Sequence, residues 1–324
     1  MIIYKDIISV ENLLRAWEEF MRGKRKRRDI VEFSIRLSEN IYHLHYDLES
    51  KTYRHGGYHE FKICDPKPRQ IHKASVRDRL VHHALYRVLY PFFDKTFISD
   101  SYSCRKNRGT HKALNRFREF FYRVSQNNTH TCWVLKCDIK KFFASINHKV
   151  LMNILDTYIS DEDILRLVKE VINSFHSNRP NIGLPLGNLT SQLLVNVYMN
   201  EFDRFVKHKL KAKHYIRYAD DFVLLSEKKE RLEDQIEPIR AFLTDQLKLT
   251  AHKVHLKTVA SGVDFLGWVH FPDHRVLRTT TKKRILRRTA ECLTPATLSS
   301  YCGLLSHGNG YKLQKCIFKS VSNL

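Results

Sequence analysis

His214-Tyr-Ile-Arg-Tyr-Ala-Asp-Asp-Phe-Val-Leu-Leu-Ser226 sets two apolar runs on either side of a two-residue polar centre. That pattern predicts a β-hairpin with Asp220 and Asp221 at its tip. A lone Asp-Asp pair is ordinarily only a turn, because aspartate favours turn positions. This pair does not stand alone. Upstream, Thr131-Cys-Trp-Val-Leu-Lys-Cys-Asp-Ile139 is a nearly continuous apolar run, the pattern of a strand covered on both faces, with Asp138 near its end. Carboxylates are costly to bury unless they are paired or bind metal. Three brought together would repel one another, and divalent cations are the simplest remedy. Two such ions about 3.5–4 Å apart can activate an attacking 3′-hydroxyl and stabilise a leaving pyrophosphate. Magnesium suits such a site because it prefers oxygen ligands and keeps waters and substrate phosphates.

Outward from these segments, helices and strands mix, which predicts an α+β fold. Asn147 is a plausible N-cap for a helix with Val150, Leu151, Ile154, Leu155 and Tyr158 on one stripe. A second helix starts at Asp161, residues 188–210 form a third, and residues 228–247 a fourth that is kinked or interrupted at Pro238. Strand-like segments at 263–271 and 275–280 flank Pro272-Asp273-His274, and the C-terminal part reads as helical, with Thr294-Pro295 as N-cap and N1. Towards the N-terminus, residues 9–20 form an amphipathic helix, and a turn-like basic stretch from Asp65 to Arg79 runs into an apolar helix from Leu80 to Phe93. In Arg77-Asp-Arg79 an intrahelical ion pair is expected.

The 324 residues carry 56 Lys and Arg against 34 Asp and Glu, a formal net charge of +22. Such an excess repels itself unless a polyanion neutralises it, so nucleic acid is the leading partner. The run Lys24-Arg25-Lys26-Arg27-Arg28, with no acid among its members, suits phosphate contact or a solvated face. The stretch containing Lys282, Lys283 and Arg284 is a second basic segment. Seven cysteines without a C-x-x-C pair argue against a disulfide framework and a structural zinc, and fit a reducing cytoplasm. No apolar run approaches the roughly 20 residues that span a bilayer, so no membrane partner is expected. The 18 histidines show no clustered ligand spacing.

The motifs together resemble those of reverse transcriptases, in the family's order. Tyr218-Ala219-Asp220-Asp221 matches the Y-x-D-D motif, and Asp138 the first metal-binding aspartate. The resemblance implies a right-hand polymerase with three catalytic aspartates, Asp138, Asp220 and Asp221. It adds Ile139 to the metal set, and two magnesium ions that manganese can replace. Phe143 resembles the steric gate that excludes ribonucleotides, its neighbour Phe142 reading as core. Lys67-Pro-Arg69 resembles the fingers motif that holds the incoming triphosphate, with Lys73 behind it; arginine's fork suits that task. Arg105 matches a segment that tracks the template, and Lys257, with Lys253 an equal contender, a lysine that assists pyrophosphate departure.

Ile182-Gly-Leu-Pro-Leu-Gly187-Asn-Leu-Thr-Ser191-Gln192 resembles the floor under the nascent base pair, placing Leu186, Gly187 and Gln192 at the nucleotide. Leu186 stands where many family members have Gln, and the Ser191-Gln192 ending is similar to the reverse transcriptases of diversity-generating retroelements. Asp65-Pro-Lys-Pro-Arg, Ser101-Tyr-Ser-Cys-Arg105, Phe265-Leu-Gly267 and the stretch Ser300 to Tyr311 fit that subfamily too. The resemblance implies error-prone cDNA synthesis opposite adenines of a template-repeat RNA, from primer and dNTPs, with a small basic oligomeric accessory protein, in the cytoplasm of a bacterium or archaeon or from a phage. Retron, defence-associated and intron-derived lineages are the nearest rivals, and a catalytically silent RNA-binding scaffold the rival of another class. The expected layout is an N-terminal extension and start of fingers over 1–60, fingers over 61–130, palm over 131–275 with a fingers insertion around 160–185, and thumb over 276–324. That thumb leaves no room for an RNase H, endonuclease or integrase domain.

Overall fold

In the computed structural model, Asn147, Asp161 and Thr294 each start a helix by accepting the backbone N–H groups that a first turn leaves free. Asn147 Oδ1 accepts from Val150 at 3.0 Å, Asp161 Oδ1 from Asp163 and Ile164 at 3.0 and 3.1 Å, and Thr294 Oγ1 from Thr297 at 3.2 Å. They cap His148–Tyr158, Glu162–Asn173 and Pro295–Leu305. The structure describes residues 2–64, 68–291 and 294–322. These fall into two units, one of residues 1–99, 139–209 and 239–251, the other of 100–138, 210–238 and 252–324.

The first unit is mainly helical. Helix Val10–Met21 buries Leu13, Ala16, Trp17 and Phe20, the stripe its periodicity predicts. Helix Val76–Asp94 runs four residues further upstream than the apolar pattern suggests, because Ser75 caps it. Asp78 in its first turn is buried and accepts from Tyr53 Oη at 2.8 Å, Gly56 N at 3.1 Å and Ser75 Oγ at 2.7 Å. The expected intrahelical pair is therefore secondary: Arg77 lies 3.7 Å from Asp78 but 2.7 Å from Asp47, and Arg79 pairs with Asp29 at 2.6 Å. Helix Leu189–Arg204 is buried on every face, through Leu193, Leu194, Val197, Tyr198 and Phe202 among others, and runs into a π-helical turn, Phe205–Lys209. Its polar residues Asn196, Asn200 and Asp203 are buried along with the apolar ones, so it runs through the interior of the unit. A two-stranded antiparallel ribbon, β1 (Tyr58–Ile63) with β2 (Arg69–Ala74), completes the unit, with Ile63 opposite Arg69.

The second unit holds a four-stranded sheet in the order β4-β5-β3-β6, from β3 (Trp133–Ile139), β4 (Tyr215–Tyr218), β5 (Asp221–Ser226) and β6 (Ala251–Thr258). β3 and β4 both run antiparallel to β5. Helix Thr110–Val124 supplies Phe117, Phe120 and Phe121 to a core shared with Ile216, Val223, Leu225, Phe265 and Trp268. The segment 263–271, read as one strand, is instead two: β7 (Val263–Phe265) and β8 (Trp268–His270), with β9 (Arg275–Leu277) beside β8. Leu266 and Gly267 take φ of 51° and 87°, a tight left-handed turn that folds the run back on itself. Pro238 lies inside helix Lys229–Ala241, and the chain then widens into the π-helical turn Phe242–Gln246. Helices Thr279–Glu291, Pro295–Leu305 and Tyr311–Ser322 share a small core of Ile285, Leu305, Leu313 and Ile317.

Candidate active site

Tyr218 pairs with Asp221, so only Ala219 and Asp220 form the hairpin turn. Ala219 has φ of 55°, a left-handed conformation that costs a residue with a Cβ about 1–2 kcal/mol. A neighbouring side chain steadies it. Arg217 is wholly buried; its Nη1 donates to the Ala219 carbonyl at 3.2 Å and its Nη2 to Ser101 Oγ at 3.1 Å. The backbone doubles this link, since Arg217 N–H donates to Asp100 O and Tyr102 N–H to Arg217 O, each at 3.0 Å. Arg116 Nε in turn binds Asp100 Oδ1 at 2.8 Å.

β3 pairs with β5 through Cys137 opposite Phe222. One step further in that register, Asp138 comes beside Asp221. Residues two apart on a strand share a face, so Lys136 accompanies Asp138. Lys136 Nζ lies 3.5 Å from Asp221 Oδ2 and donates to the Asp264 carbonyl at 2.6 Å. Burial pushes the Asp221 carboxyl up to about 7; Lys136 opposes this, and the negative charges of Asp138 and Asp220 add to it. Ile139 closes β3 with its side chain buried.

Asp221 Oδ1 is buried with no hydrogen-bond partner. An orphaned carboxylate oxygen beside two further aspartates fits an oxygen-preferring divalent cation. Among the described residues no three His, Cys, Asp or Glu side chains close into a metal site by themselves.

A pH dependence follows. The folded state keeps a proton on Asp221 that the unfolded chain, with the ordinary value of 3.8, releases. Without divalent cations, stability should fall as pH rises from 3.8 to about 7 and then level off. Thermal melts in EDTA should show this slope in the wild type and a shallower one in Asp221→Asn. Equal slopes would remove Asp221 as its source.

The other expected site residues fall in both units. In the second, Arg105 Nη1 binds the Ser101 carbonyl at 3.1 Å. Lys253 and Lys257 are both exposed on β6, four residues apart on one face. Lys282 and Lys283 are exposed, and Arg284 half-buried, near the start of helix Thr279–Glu291. In the first unit, Phe142 is buried and Phe143 half-buried, their rings 5.6 Å apart, and the Phe143 carbonyl accepts from Leu184 N at 2.8 Å. Arg69 is exposed at the start of β2, whereas Lys67 lies outside the described residues.

The floor segment is stitched to β2. Leu186 O accepts from His72 N at 3.0 Å, and Asn188 Nδ2 donates to His72 O at 3.0 Å. Gly187 has φ of 111°, and a Cβ there would lie 2.8 Å from Ile71 Cγ2, so no other residue fits without a shift. A cavity of about 390 Å³ links this floor, through Gly187 and Gln192, to Lys24, Arg27, Lys73 and Arg79. The basic run is only partly free for phosphate. Lys24 Nζ donates to Phe20 O at 2.9 Å, Arg28 pairs with Glu32 at 2.8 Å, and Arg25, Lys26 and Arg27 complete the loop. Burial alone would raise Asp29, but Lys73 and Arg79 overcome it and hold the carboxyl down to about 2.

Lys136 and Arg217 escaped the sequence reading. Each is a cation inside an otherwise apolar strand, and that was the available signal.

The sheet thus presents a paired-aspartate hairpin beside a third strand-end aspartate. The reverse transcriptase (RNA-dependent DNA polymerase) family model matches residues 64–270, and the chain belongs to that family. It is 27% identical to protein YkfC of Escherichia coli over 67% of this chain and 65% of that protein. With the group II intron-encoded protein LtrA of Lactococcus lactis it shares 23% identity over 71% of this chain and 49% of LtrA. The chain thus spans less than two thirds of these relatives' length. Among solved structures, telomerase from Candida albicans superposes with a TM-score of 0.53 at 13% identity, covering 85% of this chain and 56% of telomerase. Apo telomerase from Candida tropicalis gives 0.52 at 12% identity, covering 74% of this chain and 60% of that one. The fold is that of the right-hand polymerases. Reverse transcriptases generally use divalent metal ions. No helix among the described residues is long and apolar enough to cross a membrane.

Proposed function

We propose that Asp138, Asp220 and Asp221 are the catalytic carboxylates, and that the enzyme makes error-prone cDNA from a template-repeat RNA of a diversity-generating retroelement. The observation that carries the catalytic part is the buried, unpartnered Asp221 Oδ1 flanked by two further aspartates. Two magnesium ions held there, with the Ile139 carbonyl contributing, would activate the primer 3′-hydroxyl and neutralise the departing pyrophosphate. Lys136 offsets part of the carboxylate charge and steers Asp221, while Arg217 holds the turn that carries Asp220. Lys67 and Arg69 bind the triphosphate, Phe143 excludes the ribose 2′-hydroxyl, and Gly187 and Gln192 line the nascent pair. Lys257 donates to the leaving group, and Arg105, the Lys24–Arg28 run and Lys282–Arg284 contact strand phosphates. In this reading fingers extend to about residue 130, palm to 275 and thumb beyond. Template RNA, primer and dNTPs are the immediate partners, a small basic accessory protein a further one, and the cytoplasm the compartment.

Leu186 supports the error-prone part. A glutamine there could hydrogen-bond near the incoming nucleotide and help define its geometry, whereas leucine supplies only packing. A mispair then loses less relative to the correct pair. Copying one RNA with wild type and with Leu186→Gln, and sequencing the cDNA, should show errors concentrated opposite adenine in the wild type and reduced several-fold in the variant. An unchanged spectrum would sink the role of Leu186. Low errors in both would favour a second reading, an intron-derived polymerase, for which the likeness to LtrA speaks.

A further inference from the structure

Beyond the polymerase site, the second unit contains a cavity of about 340 Å³ at the end of β8 opposite the Leu266–Gly267 turn, and Arg118, His270, Phe271, Arg275, Ser306 and Asn309 help line it. We propose that this cavity binds a phosphoryl group, carried by a free nucleotide or by a nucleic-acid strand.

Its two arginines make no ion pair among the described residues. Arg275 is held by neutral acceptors, with Nε donating to the His307 carbonyl and Nη2 to Asn115 Oδ1 at 3.3 Å. Nη1 is buried and unpartnered. Arg118, exposed at the rim, donates among the described residues only to Tyr122 Oη at 3.4 Å. The two cations are close enough that, after burial, Arg118 is the cause holding Arg275 below its ordinary value. Asp273 also lines the cavity but takes its bond from Asn128 at 3.4 Å and pairs with neither arginine. A half-buried guanidinium facing a second one, with no carboxylate on either, is a costly arrangement until an anion joins it.

His270 is a second, independent pointer. It is 4% exposed, lines the cavity, and its Nε2 has no partner. Burial and then Arg275 push its pKa down to about 3, so the ring is neutral and has one N–H to offer. Arginine's fork, an imidazole N–H, an amide and a hydroxyl together match an anion with several oxygens. Phe271, stacked on His274 with centroids 4.9 Å apart, provides a flat wall against which a base could lie.

The site is pre-built rather than incidental. Asn309 N–H donates to the Arg275 carbonyl at 2.9 Å, so the segment 306–309 grips Arg275 from both sides. Gly308 permits this, because a Cβ there would collide with the Trp268 ring and lie 2.9 Å from Arg275 O.

The test uses the full chain in EDTA, which keeps the aspartate site from binding phosphates through divalent ions. Inorganic phosphate, adenosine monophosphate and a short RNA are titrated against wild type, Arg118→Ala and Asn309→Asp, both at exposed positions, with ligand-free melting temperature as the folding control. At least a tenfold weaker binding is expected in both variants at unchanged melting temperature. If phosphate and the monophosphate bind in this variant-sensitive way, the source is a free nucleotide. If only the RNA does, the source is a strand. If no probe distinguishes the variants from wild type, including the case where none binds and the cavity holds only water, the proposal is overturned.

Discussion

Asp220→Asn is expected to lower primer extension on RNA by about a thousandfold or more while leaving the fold intact. The substitution keeps size and shape and changes only charge. Asp220 sits in the two-residue turn rather than in the ladder, so no strand pairing depends on it. Loss of a metal-binding carboxylate removes several kcal/mol of charge stabilisation in the transition state, and each 1.36 kcal/mol is a factor of ten in rate. Removing one negative charge beside Asp221 also relieves part of what raises that carboxyl. Single-turnover extension with magnesium, alongside melting curves in EDTA, reads both. Wild-type rates in the variant would refute the assignment of Asp220 and, with it, the catalytic set.

Arg217→Met is expected to cost roughly 2–5 kcal/mol of stability, the sum of leaving the Ala219 carbonyl and Ser101 hydroxyl buried without their donor. Arg217→Lys keeps the charge but a single ammonium cannot span both acceptors, so it should be intermediate in stability. Its activity should fall further than its stability, because the released turn carries Asp220. If the arginine acts by holding the left-handed Ala219, then adding Ala219→Gly, which takes φ of 55° without penalty, should restore much of the rate. Melting curves and extension rates across Arg217→Met, Arg217→Lys and the lysine–glycine double variant separate the two effects. A double variant no faster than Arg217→Lys would leave the arginine a purely structural residue.

Much of this was legible in the sequence. The caps at Asn147, Asp161 and Thr294 stand out because capping is a local bargain between one side chain and the next turn. The apolar run at β3 and the existence of the hairpin were equally plain, since strand periodicity and turn polarity are properties of a few adjacent residues. The hairpin's tip was read one residue late: the turn is Ala219–Asp220, and Asp221, expected at the tip, pairs with Tyr218 at the start of β5. The split of 263–271 into β7 and β8 was hidden. Nothing in Phe265-Leu-Gly-Trp268 but one glycine announces a turn, and it takes the packing of Phe265 and Trp268 into one core to stabilise leucine at φ of 51°. β6 went unread because its exposed positions carry His and Lys and leave only a faint alternation.

The candidate site divides in the same way. That three aspartates, a floor motif and basic segments are present is a matter of residue identity and order, which the chain alone determines. That Lys136 faces Asp221, that Arg217 reaches the turn carbonyl, and that Asp29 rather than the solvent engages Lys73 and Arg79 were decided only by the tertiary structure. The reason is desolvation. A charged side chain's partner is set by which polar groups are shut away from water with it, and burial is a property of the assembled unit, not of the neighbours in sequence.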